Sequence, residues 1–205
     1  MVEPMMWIIL VSCASEEMKR AASSSSINAY ARLAEDASWT YREDLVEEDT
    51  ADLPSDNLLI RARVVEANIN QQDDVDEYSS SLEGSYRVEL RQGARWFDAR
   101  LYGELSWRLE DGLFLDNWSF ESASGTGGYP IASADPFDEN TVSEGDWSCS
   151  LEELETLWTW YATYENVLNI TCTGNGPAGV FTFAEQAGLI AMELDEHQLY
   201  LVAPW

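Results

Sequence analysis

Residues 96–122 read WFDARLYGELSWRLEDGLFLDNWSFES, two apolar runs folded at Asp111-Gly112. From Trp96 to Leu109 apolar and polar side chains alternate, the period of a strand with one face buried. Asp-Gly between two such runs is a strong hairpin signal, because a tight turn there needs positive φ. With those two residues as the loop, Leu109 stands opposite Phe114, Trp107 opposite Asp116, Leu105 opposite Trp118 and Gly103 opposite Phe120. That register gathers Leu101, Leu105, Trp107, Leu109, Phe114, Trp118 and Phe120 on one face. A shift of one residue would place Leu113, Leu115, Asn117 and Ser119 there instead, a poorer core. The stretch therefore reads as an antiparallel β-hairpin.

Upstream, residues 58–69 alternate with Ile60, Ala62 and Val64 facing in and Arg61 and Arg63 facing out. Tyr86, Val88 and Leu90 repeat the pattern against Arg87, Glu89 and Arg91. Between them lies an acidic loop with Asp74, Asp76 and Glu83. The calcium-loop pattern needs a Gly after its third ligand position and a Glu at the twelfth. Ser79 and Ser85 stand there, so the match fails. The outward arginines are expected to pair with surplus carboxylates, each exposed pair worth ~0–1 kcal/mol.

Downstream, residues 122–148 lose periodicity, and Gly125, Gly127, Gly128, Pro130 and Pro136 predict a long loop. Its Asp135, Asp138, Glu139, Glu144 and Asp146 read as a hydrated acidic loop, with calcium as the functional alternative. Ser150 and Glu153 form a capping box, and Leu151, Leu154, Leu157, Trp158 and Tyr161 share a helical face, so a helix is predicted over 151–163. Trp158, Thr159, Trp160 and Thr163 argue for strand instead. A helix of ~21 Å followed by a returning strand of ~20 Å brings Cys149 beside Cys172, and a disulfide between them is expected. The rest reads as a four-stranded meander turning at residues 174–177, 185–188 and 195–198. Leu168, Ile170 and Cys172 then lie beside Phe181 and Phe183, with Ile190, Met192, Leu194, Leu199 and Leu201 on the same face. The expected fold is mainly β: about eight antiparallel strands in two four-stranded meanders, with one short helix, closed as a sandwich or a barrel.

At the N-terminus an apolar run from Met5 to Val11 ends in Leu10-Val11-Ser12-Cys13. This resembles the lipobox of bacterial lipoproteins. The resemblance covers about 13 residues, and it implies a signal peptide over 1–12, lipid on the thiol of Cys13 and anchoring at the cell envelope. Residues 13–57 are Ser-rich and acidic and read as a tether. Within it Ile27, Tyr30, Ala31 and Ala34 could share one face of a short helix capped by Ser26. Residues 58–205 are read as one β domain.

The chain has 205 residues and a net charge of −27, and all eleven basic residues lie at or before Arg108. Residues 109–205 carry 17 acidic side chains and no basic one. Such a field repels nucleic-acid phosphates. The single histidine, His197, falls in a predicted tight turn and reads as an exposed turn residue, not a catalytic base. No zinc-type Cys/His spacing and no phosphate-cradling glycine loop occurs. Asn117-Trp118-Ser119 and Asn169-Ile170-Thr171 match glycosylation sequons, but both fall in predicted strands. The reading is a non-catalytic exported binding or structural module with an envelope protein or glycan as partner, and with no catalytic, cofactor-binding or metal residue assigned. The alternatives are a carrier of a small apolar ligand, a carbohydrate binder using Trp96, Trp147, Trp158 or Trp160 as a platform, and, less favoured, a carboxylate-pair glycoside hydrolase.

Overall fold

The computed structural model describes residues 26–43, 59–69, 83–93, 95–158, 162–185, 187–194 and 197–204. Its strands are β1 Ser38–Glu43, β2 Leu59–Ile69, β3 Gly84–Gln92, β4 Arg100–Glu110, β5 Gly112–Phe120 and β6 Ser124–Ser133. They continue as β7 Thr141–Glu144, β8 Trp147–Trp158, β9 Thr163–Thr173, β10 Gly179–Ala184, β11 Gly188–Leu194 and β12 His197–Pro204. Among the described residues one α-helix, α1 Ile27–Ala31, precedes them. All twelve strands form one antiparallel sheet in the order β6-β5-β4-β3-β2-β1-β12-β11-β10-β9-β8-β7. Because β6 also lies beside β7 and β8, the sheet bends round into a nearly closed barrel. At that seam the Trp147 indole N–H donates to the Pro130 carbonyl at 3.0 Å, and its ring packs edge-on to Tyr129 at 5.1 Å.

This corrects the expectation of about eight strands in two meanders. The eight expected strands are present as β2–β5 and β9–β12. The other four come from stretches read as something else. β1 lies in the stretch read as a tether, yet it pairs with β2 on one side and β12 on the other. It thereby joins the two meanders edge to edge. Its six residues are too few to show a clear period beside acidic flanks. Trp39 and Tyr41 point inward, and their polar tips donate to the carbonyls of Ala187 (3.1 Å) and Leu189 (2.8 Å).

The predicted loop 122–148 contains β6 and β7. Its glycines are packing devices as well as turn residues, since a Cβ on Gly125 would collide with the Trp118 ring and one on Gly127 with the Tyr129 ring. Pro130 is tolerated because β6 is the last hydrogen-bonded strand of the sheet on its side. The predicted helix 151–163 is also overturned, because residues 147–158 are strand β8. Ten residue pairs join β8 to β9, from Ser148↔Thr173 to Trp158↔Thr163. Long-range pairing with a β-rich partner outweighs the local capping box and leucine spacing. The disulfide is present, with Cys149 directly opposite Cys172 and Cα atoms 4.0 Å apart. The chain therefore reaches this pairing through two adjacent strands, not through a helix and a return.

The central hairpin differs from its expected register in one half. Leu105 faces Trp118 and Gly103 faces Phe120, as expected, but a bulge after Ser106 puts Trp107 opposite Leu115 and Leu109 opposite Leu113. Leu113 and Leu115 are thus buried, while Phe114 turns outward beneath the Arg108 guanidinium, 4.2 Å from its ring centre. Phe97 is 90% exposed because Trp96–Asp98 is a 3-10 turn and not strand, and Leu101, at the start of β4 beside a register shift against β3, is 49% exposed.

The inward faces of β2, β3 and β9–β12 follow expectation, and Ile60, Val88, Leu168, Ile170, Phe181 and Leu194 are buried. Rings fill the interior: Trp107 of β4 meets Phe181 and Phe183 of β10 at 5.7 and 6.3 Å. Helix α1 is capped by Ser26, whose hydroxyl accepts from the Asn28 N–H at 3.3 Å, and it buries Ile27, Ala29, Tyr30 and Ala31 against β5, β10 and β11. A cavity of about 30 Å³ remains, lined by residues including Trp39, Tyr41, Trp107 and Phe183. That is room for one water.

Candidate functional site

The outer face of β9–β12 carries a groove of about 520 Å³, within the usual range of small-ligand sites. Its floor is a cross-strand ladder. Asn169 pairs with Thr182, Thr182 with Ala191, and Ala191 with Tyr200. Val180 and its partner Glu193 form the next row. The small Ala191 in mid-ladder leaves the depression that Asn169 and Tyr200 bound. Leu154, Leu157 and Trp158 of β8 supply the wall. Asn166, with φ 51, bends β9 at this end, where its carboxamide donates to the Glu185 carboxylate at 2.7 Å and its carbonyl accepts from the Glu185 N–H.

Within the groove the Thr182 hydroxyl donates to Asn169 Oδ1 at 3.0 Å, and the Tyr200 hydroxyl donates to Glu193 Oε1 at 3.1 Å. Thr182 is buried and Glu193 half-buried. Trp158 stands 75% exposed. Of the four platform candidates, Trp147 is buried at the seam and Trp96 is half-buried with Arg91 over its ring at 5.2 Å. Trp160 lies outside the described residues. Trp158 is therefore the exposed indole among the described candidates. The sequence named it without its neighbours, because the ladder beneath it comes from four separate strands.

His197 is not the exposed turn residue expected. It is the first residue of β12, half-buried, and stacks on Phe120 with ring centres 4.6 Å apart. Its Nδ1 lies 2.6 Å from the Tyr102 hydroxyl and its Nε2 3.0 Å from Ser122 Oγ. The arrangement clasps β12 to β4 and β5.

The outward arginines pair with carboxylates as expected: Arg63 with Asp36 (2.7 Å), Arg91 with Glu89 (2.9 Å), Arg100 with Glu121 (2.6 Å) and Arg108 with both Glu110 (2.7 Å) and Asp116 (3.2 Å). In the acidic stretch 133–146, Asp135 accepts from the Phe137 N–H at 3.2 Å. Among the described residues no three His, Cys, Asp or Glu side chains converge on a point that could hold a metal ion. Cys13, Asp74 and Asp76 lie outside the described residues. No protein-family model, curated protein or solved structure matches the chain.

Proposed function

We propose that the chain is a non-catalytic binding module presented at a bacterial cell envelope by lipid on Cys13, with the barrel as rigid scaffold and the outer groove as ligand site. The carrying observation is the contrast between inside and outside. An interior cavity of about 30 Å³ has no room for a carried ligand, whereas the outer groove of about 520 Å³ combines an exposed indole with a polar floor. The Cys149–Cys172 disulfide fits an oxidising compartment. The acidic surface favours uncharged or cationic partners and disfavours nucleic acid.

The test is mass spectrometry of the mature N-terminal peptide from membrane and soluble fractions of a bacterial host, together with the Cys13→Ala variant. Diacylglyceryl on Cys13 in the membrane fraction, and release of the variant to the soluble fraction, are expected. An intact Met1 peptide in the soluble fraction overturns the anchoring. A fluorescent fatty acid is expected not to bind, and its saturable uptake would restore the carrier reading.

A further inference from the structure

We propose that the groove on the outer face of β9–β12 takes a small organic cation, an ammonium group carried on an apolar body. The proposal rests on the groove being the ligand site. Its first support is the charge distribution. Every residue that lines the groove lies beyond Arg108, in the part of the chain with 17 carboxylates and no basic side chain. The local field draws cations in and turns anions away.

Glu193 is the second support. On the other half of the barrel the half-buried Glu89 and Asp116 have arginine partners, Arg91 and Arg108. Glu193 is half-buried too, and its partner is the neutral Tyr200 hydroxyl at 3.1 Å. By register the nearest basic residue on this face is Arg42, opposite Tyr200. Among the described residues no ion pair joins Arg42 to Glu193. A partly desolvated carboxylate gains most from a charge-assisted hydrogen bond, which an ammonium supplies.

The third support is the wall. Trp158 and Tyr200 offer aromatic faces to a cation, and Leu154, Leu157 and Val180 offer apolar surface to the body that carries it. Thr182 and Tyr200 donate their hydroxyl protons to Asn169 and Glu193, so neither hydroxyl donates to a neutral sugar, while the Glu193 carboxylate keeps acceptor sites for an ammonium.

The experiment titrates the full, disulfide-bonded chain with three probes at low salt, followed by tryptophan fluorescence and calorimetry. They are benzylamine, an ammonium at neutral pH, its uncharged analogue benzyl alcohol, and methyl glucoside. Benzylamine is expected to bind saturably and about tenfold tighter than benzyl alcohol. Glu193→Gln should remove that preference without moving the melting curve, and Trp158→Ala should weaken both aromatic probes. Equal binding of benzylamine and benzyl alcohol, or a preference that survives Glu193→Gln, overturns the cation. Binding of methyl glucoside or benzyl alcohol alone, lost in Trp158→Ala, also overturns the cation but leaves the groove as ligand site. Failure of all three probes to bind overturns the proposal, and benzylamine binding unchanged by both variants would place its site elsewhere and overturn the groove as well.

Discussion

Phe181 has no exposed surface and meets Trp107 from the opposite side of the barrel at 5.7 Å. Truncation to alanine there removes apolar contact and leaves a hole beside rings that cannot easily close over it. The Phe181→Ala variant is expected to lose about 3–5 kcal/mol of stability in denaturant unfolding. Gly125 presents the opposite case, because any side chain must displace the Trp118 ring. Gly125→Val should destabilise by about 1–3 kcal/mol through overpacking, with altered near-UV circular dichroism from the displaced indole. At the surface, Arg108 lies over Phe114 and bonds both Glu110 and Asp116. Cation–π attraction and ion pairing hold that guanidinium.

Among the elements, the β8–β9 hairpin carries the disulfide at one end and borders the outer groove at the other. Cys149 and Cys172 are separated by 23 residues, and their cross-link restricts the unfolded chain. The double replacement Cys149→Ser with Cys172→Ser is expected to lower stability by roughly 3 kcal/mol, and reducing agent should do the same to the natural chain while leaving the double variant unmoved. This hairpin also shows why part of the fold is hidden in the sequence. Leu151, Leu154 and Leu157 have helical spacing, and Ser150 with Glu153 has the capping pattern. The β-favouring Trp158 and Thr163 stand against a helix, but it is pairing with β9 that outweighs the local signals, and periodicity does not see a partner strand. The same holds for β1, whose six residues are ordered by neighbours on both sides.

At the scale of the whole molecule, the buried tyrosines couple folding to alkaline pH. Burial first, then the charges of Glu185 and Glu153, raise Tyr30 from its ordinary value near 10 to about 12. Burial raises Tyr41 and Tyr86 as well. A phenol whose folded value lies above its unfolded one favours folding while it stays protonated. That contribution is complete below about pH 10 and is lost as pH rises towards 12. Far-UV circular dichroism and tyrosinate absorbance should therefore change together between those limits in the natural chain. Tyr30→Phe should shift the unfolding midpoint to higher pH, and an unmoved midpoint would remove Tyr30 from the coupling.

The alternation of Ile60, Ala62 and Val64, of Tyr86, Val88 and Leu90, and of the residues from Phe181 to Leu201 by itself determined the β class. Alternation of this kind marks β2–β5 and β9–β12 as strands, because successive side chains point to opposite faces, but it misassigned the buried face in the first half of β5. The Cys149–Cys172 pairing was expected from a helix and a returning strand of matched length; the pair is present, but across two adjacent strands. Tertiary structure decided the rest. The bulge at Ser106 swaps Phe114 for Leu113 and Leu115, because only the packed interior distinguishes two apolar registers. β1 joins both meanders into one sheet, because backbone donors and acceptors at two strand edges need partners. The groove exists because Asn169, Thr182, Ala191 and Tyr200, separate in sequence, are hydrogen-bonded neighbours across four strands.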